Sequence, residues 1–183
     1  MTPLYSQHHM VEQQQLLYNI EDYSRGALFI AEALSDYINE NQYSEILDYG
    51  AGLGLTKDLL ELNHQAQYFP YDPAIPEFST KPSPKYLTLA INVFEYCELE
   101  FLPKIINDLR HLTKQSTFIA INTRPLGNIT PTIMQPNSWW IKQLCNAFEF
   151  SYYRQVGNGM VIIADPIATP ITQPTAGLIN SMG

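Results

Sequence analysis

The sequence predicts an α/β domain in which a mostly parallel sheet ends in an antiparallel hairpin. Short apolar runs of strand length, such as 45–49 and 117–122, alternate with stretches of helical periodicity, and this alternation is typical of a parallel sheet. Three glycines at alternate positions follow the first run. The last two apolar runs are separated by residues 156–159, whose two glycines and asparagine favour a hairpin turn.

Composition limits the classes of protein to which the chain can belong. At 183 residues, with 45% hydrophobic and 15% charged residues, it predicts one folded domain. The net charge of −8 and the scattered lysines and arginines argue against a general nucleic-acid binder. Two cysteines without metal-site spacing and the lack of an apolar run of about 20 residues predict a cytoplasmic protein with no metal and no membrane span.

The order of elements divides the chain into an N-terminal arm or lid (1–21), a domain (22–166) and a loose tail (167–183). The arm is polar, and we treat its His8 and Tyr18 as candidates for a site. Within the domain, periodicity predicts helices beginning near residues 24, 59, 99 and 137, and strands at 45–49, 67–71, 86–92, 117–122, 148–155 and 160–164.

The glycine turn after the first strand indicates a ligand site. Gly50, Gly52 and Gly54 let the backbone turn sharply and approach a ligand. The dinucleotide pattern G-x-G-x-x-G fails because its third glycine would fall at Leu55, and no G-K-[ST] sequence occurs. Asp48, two residues before the first glycine, would repel a pyrophosphate and favours a cationic group instead.

The residues Leu47-Asp48-Tyr49-Gly50-Ala51-Gly52-Leu53-Gly54 resemble the first motif of class I S-adenosylmethionine-dependent methyltransferases. The resemblance implies a Rossmann-like sheet, S-adenosylmethionine as cofactor, and a glycine loop beneath its methionine moiety. Asp72 lies 18 residues after Gly54, near the offset of a ribose-binding acid, although Asp-Pro also starts a turn. The expected cofactor-binding residues are Asp48, Tyr49, Gly50, Gly52, Gly54, Tyr71, Asp72, Asn92 and Val93.

Prolines after Asp72 predict a departure from that family. Four prolines lie within 73–85, and the next strand starts 14 residues after Asp72. This spacing leaves no room for the third strand of the family and its preceding helix. We therefore expect a shortened sheet edge, with the adenine held by apolar and backbone contacts.

The segment 92–96 supplies catalytic candidates. It resembles a family segment written D-V-L-E-H, with Asn92 in place of the acid and Tyr96 in place of the histidine. Tyrosine is a poor base at neutral pH, so Glu95 is the alternative, unless it is a solvated residue at a helix start. Arg124 could bind a substrate carboxylate or phosphate, or pair with Glu95. We take Glu95, Tyr96 and Arg124 as candidates.

A second resemblance, to small phage- and bacterium-associated methyltransferase-like proteins, rests on the proline-rich segment 71–78 and on Trp139-Trp140, and it covers about residues 45–165. Together the resemblances imply a methyltransferase. The net charge, and the lack of an N/D-P-P-Y segment at Asn92, favour a small molecule or another acceptor that is not a nucleic acid. Two alternatives remain: a protein of this fold that binds S-adenosylmethionine or a partner without catalysis, and an enzyme that cleaves S-adenosylmethionine.

Overall fold

A computed structural model of the chain describes residues 4–19, 23–122, 131–157 and 159–168. Within these ranges six strands form one sheet. They are β1 (Glu45–Tyr49), β2 (Gln67–Tyr71), β3 (Lys85–Ile91), β4 (Thr113–Asn122), β5 (Phe148–Val156) and β6 (Gly159–Pro166).

The strand order is β2-β1-β3-β4-β6-β5. The pairs β1–β2, β1–β3 and β3–β4 are parallel, whereas β6 pairs antiparallel with both β4 and β5. The predicted fold is therefore confirmed, including the terminal hairpin. The carboxyl ends of β1, β2 and β3 meet at one edge of the sheet, where open α/β sheets bind ligands.

Helix α2 (Ala31–Asn41) covers one face of the sheet, and α3 (Leu102–Leu112) and α4 (Asn137–Leu144) cover the other. Helix α1 (Gln7–Asn19) lies over the carboxyl edge of the strands. Successive strand residues point to opposite faces, so Ile46 packs in a cluster with α2 residues while Leu47 packs in a cluster with α3 and α4 residues. Helix α3 begins with a proline in its first turn, where a missing N–H costs nothing. It turns a stripe of leucines and isoleucines towards the sheet.

The helix that we predicted around residues 59–64 is wrong. A short 3-10 helix, Leu55–Leu59, stands after the glycine turn and ends at the extended Leu60. The following segment is instead tied to α2 by side chains. Ser35 Oγ accepts the Glu61 N–H at 3.0 Å, and Asn39 bonds both the Glu61 carbonyl and the Asn63 N–H at 2.9 Å. These bonds replace the backbone bonds that a helix would make.

The shortened edge of the sheet is confirmed. Strand β2 is an edge strand, and the chain reaches β3 through a one-turn 3-10 helix, Pro76–Phe78, rather than through a further strand. The Asp72 N–H donates to the Phe78 carbonyl at 3.1 Å, which folds this turn back against the end of β2. The predicted tail beyond residue 168 and the loop with Arg124 lie outside the described residues.

Candidate ligand-binding site

A cavity opens at the carboxyl edge of the parallel strands, beneath α1. Its floor comes from the ends of β1 and β3 and from the glycine turn. One wall comes from the residues after β2, and α1 together with Tyr5, two residues before it, forms the cover. Of the predicted cofactor-binding residues, those that line it are Asp48, Gly50, Gly52, Asp72, Asn92 and Val93.

Backbone angles and backbone hydrogen bonds fix the conformation of the glycine turn. Gly50, Gly52 and Gly54 all have positive φ angles, of 74°, 54° and 75°. The N–H groups of Gly50 and Ala51 donate to the Tyr71 carbonyl at 2.8 and 3.1 Å, which closes the turn onto β2. A Cβ on Gly50 would lie 2.6 Å from Val93 Cγ2. Only glycine fits there, because both the backbone angle and the space exclude a side chain.

The Asp72 carboxylate is fixed by two backbone amides. Its Oδ2 accepts the Gly52 N–H and its Oδ1 accepts the Ala74 N–H, each at 2.9 Å. The second bond is the turn expected of Asp-Pro. Burial raises the pKa of Asp72 above its usual value, and the two amides oppose that shift. A carboxylate has about four acceptor positions, so each oxygen retains one for a ligand in the cavity.

The Asp48 carboxylate is buried at the end of β1. The Tyr68 hydroxyl donates to its Oδ2, and Thr56 also bonds it. Burial raises the pKa of Asp48 to about 6, against the lowering effect of both hydroxyls. No lysine or arginine lines the cavity in the part of the chain that the structure describes. The cavity is therefore acidic and suited to a neutral or cationic ligand.

Asn92 stands at the end of β3 in a strained conformation. Its φ is +54°, which is uncommon for a residue with a side chain. Its N–H donates to the Ala120 carbonyl at 2.9 Å, and this bond ties the turn to β4. Such strain concentrates at functional sites. The turn brings Val93 against Gly50, so the ends of β1 and β3 are in contact across the cavity floor.

The structure separates the catalytic candidates. Tyr96 lines the cavity, and burial raises its pKa to about 12. Glu95 does not line it: the side chain is fully buried, its Oε1 accepts the Asn122 N–H at 2.7 Å, and burial raises its pKa to about 8. The reading of Glu95 as a solvated helix start is therefore wrong. Arg124 lies outside the described residues.

Three expected cofactor residues lie away from the cavity surface. Tyr49 points into the core, where its hydroxyl donates to Asp108 Oδ2 at 3.1 Å. Tyr71 is buried beside Tyr49, with ring centroids 5.4 Å apart. Gly54 faces the Phe78 ring. These three residues pack on the side of the glycine turn that faces away from the cavity, and none of them lines it.

The residues that cover the cavity are the part that sequence reasoning missed, since it offered the segment 1–21 as an arm or a lid and named only His8 and Tyr18 in it. Tyr5, His9, Gln13 and Leu17, spaced four residues apart, line it together with Met10. The neighbouring candidates His8 and Tyr18 are exposed, and His8 pairs with Glu12 at 3.3 Å on the outer face. The four-residue spacing was visible in the sequence, but two of its four members are polar and give little apolar periodicity.

A metal site and a membrane span find no support in the described residues. No group of three or more histidine, cysteine, aspartate or glutamate side chains there could hold a metal ion. No described helix has both the length and the apolar character needed to cross a bilayer.

Comparisons with known proteins identify the fold. No protein-family model and no curated protein matches the chain. Among solved structures, a Burkholderia thailandensis 1,6-didemethyltoxoflavin-N1-methyltransferase with bound S-adenosylhomocysteine superposes with a TM-score of 0.64, at 11% identity over 91% of this chain and 92% of that one. The 16S rRNA methylase ArmA gives a TM-score of 0.56, at 18% identity over 85% and 91% of the two chains.

Human N-acetylserotonin methyltransferase in complex with S-adenosylmethionine gives a TM-score of 0.60 at 11% identity, over 86% of this chain and 56% of that one. The chain has the fold of class I S-adenosylmethionine-dependent methyltransferases. The similar structures act on small molecules in two cases and on ribosomal RNA in the third, so the fold leaves the acceptor open.

Proposed function

We propose that this protein binds S-adenosylmethionine and transfers its methyl group to a small molecule. The observation that carries the proposal is the convergence of Asp48, Asp72 and the glycine turn on one acidic cavity at the carboxyl edge of the sheet. A sulfonium cofactor carries a positive charge and an ammonium group, and this cavity offers carboxylates and, among the described residues, no lysine or arginine.

Each part of the cavity has a proposed task. Asp72, already oriented by two amides, accepts hydrogen bonds from the ribose hydroxyls. Asp48 attracts the methionine ammonium, and Gly50 and Gly52 admit the methionine moiety close to the backbone. Asn92 and Val93 border the adenine or the methyl group. Because the sulfonium is already reactive, the protein contributes chiefly by positioning the acceptor.

A small acceptor is favoured by the cover and by charge. Helix α1 and Tyr5 close the cavity, as a lid formed by the N-terminal segment would. The net charge of −8 disfavours a polyanion such as RNA.

The two cysteines are free, with Cys97 buried and Cys145 exposed, and this fits a reducing compartment. We therefore place the reaction in the cytoplasm.

Calorimetric titration with S-adenosylmethionine and S-adenosylhomocysteine tests the cofactor. We expect binding of both, with an affinity that falls as the pH drops through about 6, because protonation of Asp48 removes its attraction for the ammonium. Methylthioadenosine, which has no ammonium, should bind more weakly and without that pH dependence. No binding of either cofactor form at millimolar concentration refutes the proposal.

Product analysis then separates transfer from the two alternatives. S-Adenosylhomocysteine formed together with a methylated small molecule from a cell extract indicates transfer. Methylthioadenosine indicates cleavage. Binding without any product indicates a protein that has kept the cofactor site and lost catalysis, a result to which Asn92 and Tyr96, which depart from the D-V-L-E-H segment, would contribute.

A further inference from the structure

Two adjacent histidines in α1 have opposite environments. The side chain of His8 is 83% exposed and pairs with Glu12. His9 is 8% exposed and lines the cavity. Because the two residues share a helix and a local sequence, the contrast comes from the way that α1 packs over the cavity. The His9 imidazole is thus buried against the same cavity that Asp72 and the glycine turn line.

His9 is held in place from several directions. The backbone N–H of His9 donates to Ser6 Oγ at 3.1 Å, which is a capping bond at the start of α1. The Ser6 N–H donates to Glu98 Oε2 at 2.8 Å, and this bond fixes the helix start to the segment after β3. The Tyr5 ring stacks on the His9 ring, with centroids 6.1 Å apart and planes 13° apart. Tyr5 is itself hydrogen-bonded to Tyr49 in the core.

The surroundings keep the His9 imidazole neutral. Burial lowers its pKa, and the nearby His8 lowers it further. Glu98, from the segment after β3, and Glu12, on α1 itself, oppose that shift but do not reverse it. A neutral imidazole has a ring nitrogen that can accept a proton.

The other titratable groups that line the cavity are either protonated at neutral pH or already hydrogen-bonded. Tyr5, Tyr96 and Cys97 all have pKa values raised by burial, so they carry their protons at neutral pH. Both oxygens of Asp72 accept backbone amides, and Asp48 is enclosed by Tyr68 and Thr56.

We propose that His9 is the general base of this site, and that the acceptor is an uncharged aromatic compound methylated on a hydroxyl group. The inference rests on the proposed function. The rings of Tyr5 and Tyr96, with apolar Met10 and Leu17, suit a flat apolar compound. The absence of a lysine or arginine among the described lining residues disfavours a carboxylate or phosphate on it.

In the transfer step a lone pair of the acceptor oxygen forms the bond to the methyl carbon. The bond from that carbon to sulfur breaks, its electron pair stays on sulfur, and the positive sulfonium becomes a neutral thioether. The hydroxyl proton passes to a ring nitrogen of His9. Burial disfavours the imidazolium, which then releases this proton to water. Glu98 and Glu12 stabilise it meanwhile.

The test is nuclear magnetic resonance of the full-length protein with ¹⁵N-labelled histidine, alone and with S-adenosylhomocysteine. Phenol and anisole are the probes, because they have similar shape and only phenol has a hydroxyl proton. We expect phenol to shift the His9 ring-nitrogen signal and anisole to leave it nearly unchanged. The variant His9→Gln assigns the signal and should abolish the preference for phenol over anisole, whereas His8→Gln should keep it.

The outcomes separate this inference from the proposed function. A His9 signal that responds equally to both probes, or to neither, overturns the role of His9, whether or not the cofactor binds. A His9 ring that is already protonated at pH 7 overturns it as well. Loss of the preference in His8→Gln would assign the effect to the helix and not to His9. Failure of cofactor binding in calorimetry instead refutes the proposed function, and does so without any use of the phenol data.

Discussion

At the scale of single residues, the site depends on positions where no other side chain fits. Gly50 combines a φ of 74° with a Cβ position 2.6 Å from Val93. Gly157 in the hairpin has a φ of 59° and nothing within 4 Å of its Cβ position. The two glycines therefore separate the cost of backbone strain from the cost of a steric clash.

We expect Gly50→Ala to destabilise the protein by more than Gly157→Ala. The second change costs on the order of 1 kcal/mol through backbone strain alone, while the first adds a clash with Val93. Urea denaturation measures the difference. The double variant Gly50→Ala, Val93→Ala should recover the clash component, and equal costs for the two single variants would contradict the close approach.

Asp72→Asn is predicted to weaken binding of S-adenosylhomocysteine by roughly 10–100-fold, because hydrogen bonds to a charged group contribute about 1.5–3 kcal/mol. The amide oxygen can still accept one backbone N–H, so the fold should survive. Asp58→Asn, at an exposed acid in the turn after the glycines, serves as the control. Equal affinity of wild type and Asp72→Asn would exclude the ribose role.

At the scale of elements, α1 decides whether the cavity is covered. The helix has few apolar contacts of its own, with His9 and Leu17 as its buried residues. Its start depends on Ser6, which both caps the helix and binds Glu98. The two hydrogen bonds that hold α1 in place here are therefore both at its N-terminal end.

Ser6→Ala should loosen α1 without unfolding the sheet. The loss of a serine cap costs about 1 kcal/mol, so hydrogen exchange of the α1 amides should speed up severalfold while that of β1 and β3 stays unchanged. Ser79→Ala removes an exposed serine from another short turn and is the control. Uniform acceleration across the whole chain would show that α1 does not open separately.

Among the elements, the strands were easier to predict from the sequence than the cover of the cavity. All six strands were predicted to within a few residues, because each contains a short run of apolar and aromatic residues bounded by turn residues. Asp48, Asp72 and Asn92 followed from their places at strand ends. A lid was one expectation for residues 1–21, but its cavity-lining residues were not identified, because Tyr5, His9 and Gln13 meet the cavity only through tertiary packing. A helix was wrongly predicted at 59–64 because the leucines there are periodic. The bonds from Ser35 and Asn39 that hold this segment instead join residues far apart in the sequence, so they leave no local signal.

At the scale of the whole molecule, Glu95 couples stability to pH. Its pKa is about 8 in the folded protein against 4.5 when unperturbed, and burial is the main cause. The folded state therefore holds this proton more tightly than the unfolded state does. The resulting stabilisation is complete below pH 4.5 and is lost as the pH rises through 8.

Glu95→Gln should remove this dependence. The difference in free energy of unfolding between variant and wild type should be nearly constant below pH 4.5 and shift in favour of the variant by up to about 1.4 kcal/mol per pH unit between 4.5 and 8. Urea denaturation across that range measures it. Glu100→Gln, at an exposed acid, should track the wild type. A flat difference for Glu95→Gln would show that the carboxyl is ionised in the core.

The shortened sheet leaves β2 at an edge, paired on one side with β1. An unpaired edge invites another chain to add a strand, and proteins restrain it with proline and covering turns. Pro70 sits within β2 and has no N–H to offer, while the turn at Pro76–Phe78 folds back onto its end. The segment between β2 and β3 thus also disfavours edge-to-edge assembly with copies of the protein.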